Sequence, residues 1–269
     1  MNQKSNFLGE FIGTFLMVLF GTAVVCSSIV FDGVITSVFQ IGIIWALIIS
    51  ISIYLTRNLS NAHFNPAVTV AMIVTKRMKL KELPSYLLGQ FAGAFCGSLV
   101  LYLIYHPAIN SFEAKEGIIR GSKESMKTAK MFGEFYINMG SPMQSMLLAC
   151  LAEGIGTFLL IFFIFSLTEG ANVGRPDNNL APLFIGLCVG LILCIIAPIT
   201  QAGLNPARDF APRLAAHILG WGYGAYPDAL GGFFFVYILS PLIGAVLAGM
   251  FFTKIVEPLM KKKLKYKPF

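Results

Sequence analysis

The stretch GEFIGTFLMVLFG (Gly9–Gly21) returns later in the chain as AEGIGTFLLIFFI (Ala152–Ile164), setting Glu10 against Glu153 and Gly13-Thr14-Phe15-Leu16 against Gly156-Thr157-Phe158-Leu159. Further on, YLLGQFAGA (Tyr86–Ala94) returns as YILSPLIGA (Tyr237–Ala245). Between these paired strings each copy carries Asn-Pro-Ala, at Asn65-Pro66-Ala67 and Asn205-Pro206-Ala207, 205 − 65 = 140 residues apart. Such a duplication means that the chain builds one structural unit twice.

The composition says where that unit sits. Of 269 residues, 56% are hydrophobic and only 12% charged, a balance that excludes an ordinary water-soluble domain. Apolar stretches near the ~20 residues needed to cross a bilayer run over Phe7–Val30, Val34–Thr56, Leu83–Tyr105, Pro142–Leu167, Leu180–Thr200 and Gly232–Val256. Three fall in each half. Three is odd, so the second copy enters the membrane from the opposite side, and the halves form an inverted repeat.

The motifs predict two further, shorter elements. Pro is favoured in the first turn of a helix, where its missing N–H would be unpaired anyway. PAVTVAMIVTK (Pro66–Lys76) has only eleven residues, about half a crossing at ~1.5 Å per residue. The second copy is PARDFAPRLAAHILG (Pro206–Gly220). Asn65 and Asn205 each fit an N-cap, the side-chain oxygen accepting a first-turn N–H. Non-helical backbone at membrane depth is tolerated only inside protein or along a water-filled cavity. Two half-helices entering from opposite faces would therefore meet by their positive amino ends at one cavity. Asn65 and Asn205 would offer side-chain N–H donors there. The runs before them, read as extended, would offer backbone carbonyls from Ala62, His63, Phe64, Ala202, Gly203 and Leu204. Donors at the centre and a barrier to cations and protons describe a conduit for neutral solutes.

The fold class expected is an all-α membrane protein of six transmembrane helices plus two re-entrant half-helices. It forms a single domain over residues 1–269: a first repeat (about 6–105), an outside connector (about 106–141), a second repeat (about 142–257) and a basic tail (258–269). The formal net charge is +7, and TKRMKLKE (Thr75–Glu82) and KKKLKYK (Lys261–Lys267) hold nine of the twenty basic residues. Both fall on the side of the termini, which the positive-inside bias makes the cytoplasm. The basic tail reads as a topology anchor and not as a nucleic-acid site. The five cysteines lack the close spacing of a zinc or redox site and read as small core hydrophobes. No cofactor or metal is expected. The connector EAKEGIIRGSKESMKTAKMFGE (Glu113–Glu134) mixes charges and suggests no chemistry.

Over residues 6–257 the chain resembles the major intrinsic protein (aquaporin) family, and within it the aquaglyceroporin subgroup and bacterial glycerol facilitators. HFNPAVT and NPARDFAPR carry the resemblance, with Asp209, Arg213 and Pro241-Leu242 matching the subgroup. It implies the aquaporin fold, a homotetramer with one pore per subunit, and a plasma-membrane location with both termini cytoplasmic. It also implies a selectivity filter of Trp45, Leu193, Ala202 and Arg208, and a pore-side histidine at His63. Ala202 stands where glycerol facilitators have a second aromatic, and Leu193 where they have a glycine. The set Trp, Leu, Ala, Arg is closer to nodulin-26-like channels and to channels associated with lactic acid. The resemblance thus implies passage of glycerol and related polyols, water and protonated lactic acid.

Glu10 and Glu153 are carboxylates at membrane depth, where an ionisable group calls for a role. A proton relay and a brace for the re-entrant loops are both open; their symmetry favours the brace. An ion-coupled secondary transporter is the alternative to a channel, since inverted repeats and broken helices occur there too. An enzyme is not expected, because no nucleophile–base or metal constellation is present.

Overall fold

The computed structural model describes residues 2–227 and 231–265 of the chain. Among them, six helices are long and apolar enough to cross a membrane. They are α1 (Gln3–Val30), α2 (Val38–Thr56), α4 (Leu83–Glu116), α6 (Pro142–Thr168), α7 (Ala181–Thr200) and α9 (Gly232–Lys263). Two half-length helices, α3 (Pro66–Val74) and α8 (Pro206–Ala216), follow the Asn-Pro-Ala motifs, and a single turn, α5 (Met126–Ala129), lies in the connector. The start of α1, the segment after α3, the end of α6 and the later part of α9 lie near one surface, the tail face. The connector covers the other.

Small residues set the packing. In α4, Gly89, Gly93 and Gly97 meet backbone carbonyls of α1; a Cβ on Gly89 would stand 2.6 Å from the Phe7 oxygen and one on Gly97 2.8 Å from that of Phe15. Gly244 of α9 meets the Gly154 carbonyl of α6 in the equivalent way. The halves join where α2 crosses α7, and there a Cβ on Gly190 would lie 2.7 Å from the Gly42 oxygen. Lipid tails offer no hydrophobic drive between helices, so close backbone approach supplies the attraction. Large apolar side chains such as Leu103, Ile195 and Leu88 point outward.

Several boundaries differ from the sequence reading. Helix α4 runs eleven residues past Tyr105, to a cap at Gly117 with φ 66°. The chain leaves the apolar zone there without leaving the helix, and Glu113 is satisfied by Arg120 Nε (2.8 Å) and Thr128 Oγ1 (2.7 Å). Helix α9 likewise continues past Val256, with π turns at Phe235–Leu239 and Phe252–Val256. Residues 266–269 of the basic tail lie outside the described residues. On the tail face Arg77 is more than a topology charge. It contacts Glu169 (3.2 Å) and Glu257 (2.5 Å) and lies over the Phe165 ring, tying the end of α3 to α6 and α9.

Candidate functional site

The half-helices meet as the motif predicts. Asn65 Oδ1 accepts from Ala67 N (2.8 Å), and Asn205 Oδ1 accepts from Ala207 N (3.1 Å) and Arg208 N (3.2 Å). The amide nitrogens do something the sequence did not suggest. Asn65 Nδ2 donates to the Leu204 carbonyl (2.9 Å), and Asn205 Nδ2 donates to the Phe64 carbonyl (2.8 Å). Each motif thus ties itself to the opposite loop. One N–H of each amide is committed in this way, and both asparagines line the cavity.

The loops before the motifs are not extended, as the sequence reading had them. Ala62 and Phe64 in the first, and Gln201, Ala202 and Leu204 in the second, adopt positive φ between 52° and 63°. For residues with a Cβ this conformation is strained, and two carboxylates hold it. Glu10 accepts from the N–H groups of His63 (2.9 Å) and Phe64 (2.7 Å), from Ser60 Oγ (2.7 Å) and from Gln90 Nε2 (2.8 Å). Glu153 accepts from the N–H groups of Gly203 (2.9 Å) and Leu204 (2.6 Å) and from Thr200 Oγ1 (2.5 Å). Both carboxylates are fully buried. Gly13 and Gly156 leave room for Phe64 and Leu204, the residues just before each motif.

A cavity of about 710 Å³ passes between these parts. Its lining runs from Val38, the first residue of α2 on the connector face, to Thr168, the last residue of α6 on the tail face. Trp45, Leu193, Ala202, Arg208, both motif asparagines and the loop residues Ala62, His63, Phe64, Gly203 and Leu204 all line it. The Arg208 guanidinium lies over the Trp45 ring, 4.8 Å from its centroid, and Gly21 gives the indole its space. His63 Nδ1 is 3.1 Å from Thr69 Oγ1. His106 is exposed, and neither it nor His217 lines the cavity.

The model of the major intrinsic protein family matches residues 1–252. The chain belongs to this family. The glycerol uptake facilitator protein of Pseudomonas aeruginosa is 38% identical over 244 residues, covering 89% of this chain and 84% of that protein. The glycerol uptake facilitator protein of Escherichia coli is 34% identical, covering 94% and 88%. The propanediol uptake facilitator of Salmonella typhimurium is 38% identical, covering 88% of each. Among solved structures, the aquaglyceroporin from Plasmodium falciparum superposes with a TM-score of 0.80 at 24% identity, over 97% of this chain and 100% of that one. The fold is that of an aquaglyceroporin, and this major intrinsic protein is a multi-pass passive channel and not an enzyme.

Three contributions around the cavity had no structural role in the sequence reading, although Asp209 and Arg213 carried the subgroup resemblance. Tyr86 Oη accepts from Asn61 N (3.0 Å), and Tyr237 Oη donates to the Thr200 carbonyl (3.0 Å). Both tyrosines open the repeated strings YLLGQFAGA and YILSPLIGA, so the duplication itself was the available signal. The second contribution is the Asp209–Arg213 pair. It is wholly buried on α8, with Arg213 Nη2 2.6 Å from both Asp209 Oδ1 and the Glu134 carbonyl.

The third corrects the reading of the connector as chemically silent. Residues 131–135 are buried, and Glu134 among them lines the cavity. The Phe132 carbonyl accepts from Arg208 Nη1 (2.9 Å), and the Glu134 carboxylate is in direct contact with Arg208 Nη2. Burial pushes the Glu134 carboxyl up to about 8 while Arg208 pulls it back. No sequence signal marked this glutamate.

Proposed function

We propose that this channel conducts small uncharged solutes down their gradients: glycerol and related polyols, water, and lactic acid in its protonated form. The filter we assign is Trp45, Leu193, Ala202 and Arg208, with Asn65 and Asn205 as central donors. The observation that carries this reading is a single cavity lined by Arg208, which lies over the Trp45 ring, and by both capped half-helix ends. A polyol has carbon on one side and hydroxyls on the other. The indole and Leu193 suit the carbon, and the guanidinium donates to hydroxyls. The names of the glycerol and propanediol uptake facilitators support the solute class. Ala202 leaves the apolar corner more open than a second ring would, which extends the range to branched solutes. We further propose a homotetramer in the plasma membrane, one pore per subunit, both termini cytoplasmic.

Stopped-flow measurements on proteoliposomes test the reading. Flux of water, glycerol and, at low pH, lactic acid should rise nearly linearly with gradient and be indifferent to ion gradients. Saturation at low concentration, or uptake driven by a proton gradient, would instead indicate a coupled transporter.

A further inference from the structure

We propose that Glu134 is a specificity-determining residue of the constriction, with one carboxylate oxygen holding Arg208 and the other accepting a hydrogen bond from a permeating hydroxyl. The proposal rests on the solute class above and adds a recognition element to it. Its basis is geometric. Glu134 lines the cavity and is 1% exposed. Its backbone is fixed at both ends, since its N–H donates to Asp209 Oδ1 (2.9 Å) and its carbonyl accepts from Arg213 Nη2 (2.6 Å). Gly133 lets the chain run flat over the Arg213 guanidinium, where a Cβ would come within 2.7 Å of Cζ. The carboxylate is therefore placed by the fold. Oε1 pairs with Arg208, and among the described residues no group donates to the buried Oε2. Buried polar oxygens are costly to leave unpaired, and the residue that carries this one lines the cavity.

The chemistry of a hydroxyl explains the value of such a pair. A hydroxyl is both donor and acceptor. Once its lone pairs take hydrogen bonds from Arg208, its own proton still needs an acceptor. Glu134 supplies one beside the donor, so each polyol hydroxyl exchanges its water partners for two matched ones. Water gains less, because it is small enough to keep contact with neighbouring waters. The carboxylate also offsets the Arg208 charge beside it, which leaves cation exclusion to the half-helix ends.

Glu134→Gln keeps an oxygen for Arg208 and puts an amide donor where Oε2 stood. Measured at pH 9, above the raised range of Glu134, the glycerol-to-water permeability ratio of this variant should fall about tenfold, the worth of one net hydrogen bond. Glu134→Asp, which keeps the charge but withdraws it by one methylene, should fall between. A structure of the wild-type protein with glycerol should place a glycerol oxygen within hydrogen-bond distance of Oε2. An unchanged ratio in the Gln variant overturns the proposal. So does a parallel fall in both fluxes, which would mean that Glu134 only positions Arg208. Glycerol bonded to Arg208 but not to Glu134 also overturns it, even if neither variant folds. Wild-type glycerol flux separately tests the underlying function, so the two failures are distinguishable.

Discussion

Ala202 belongs to the filter we propose, at the position where the resemblance to glycerol facilitators leads one to expect a second aromatic. It lines the same cavity as Trp45 and Leu193, and its φ is 60°. Phe64 holds nearly the same backbone conformation, φ 52°, in the first loop, so this geometry accepts an aromatic residue. Ala202→Phe should therefore add bulk without displacing the loop. The ring would fill much of the gap between two walls of the constriction. Lactic acid, measured at a pH where it is mostly protonated, should lose permeability relative to water. An unchanged or larger ratio would remove Ala202 from the constriction. The residues proposed for this filter were readable because each sits at a fixed offset from a motif on its own half. Glu134 was not readable. Its partner Arg208 is 208 − 134 = 74 residues away, and its neighbours look like a solvated mixture of charges.

At the scale of elements, we propose that the carboxylates of Glu10 on α1 and Glu153 on α6 support the loops before the half-helices. If Glu10 and Glu153 act as braces, Glu→Gln at either position keeps one acceptor oxygen and should retain partial flux. Glu→Ala strands at least two loop N–H groups, and unsatisfied backbone at membrane depth costs several kcal/mol. That variant should lose its assembled form in detergent chromatography. A well-assembled Glu→Ala protein with normal flux would end the bracing role. The six spans, the half-helices and the symmetric glutamates were legible because apolar length, Pro at a helix start and duplication are local or repeated signals. Helix ends were less so. Helix α4 outlasts its apolar run because Glu113, Arg120 and Thr128 satisfy one another beyond it, a tertiary condition that hydropathy does not carry. The left-handed loop residues were also hidden, since Ala, Phe and Leu show no preference for that conformation.

For the whole molecule, the proposed orientation follows from charge. The segment after α3 and the terminal lysines share the tail face, so a fluorescent protein fused to the C-terminus should mature and fluoresce in the cytoplasm. Alkaline phosphatase inserted in the connector near Gly121 should be active. The reverse pattern would invert the topology. The reciprocal ties between Asn65 and Leu204 and between Asn205 and Phe64 have a consequence for how the molecule is made. They span 139 and 141 residues of chain. A ribosome adding about 5–20 residues per second takes roughly 7–28 s to travel from Phe64 to Asn205. Throughout that interval the first loop has its own glutamate but not its partner carbonyl and amide. It must wait in the membrane half-built, sheltered by the insertion machinery or by α1 and α4, until its twin is synthesised. Birth of this pore is a single late event. Neither half opens a path before the other arrives.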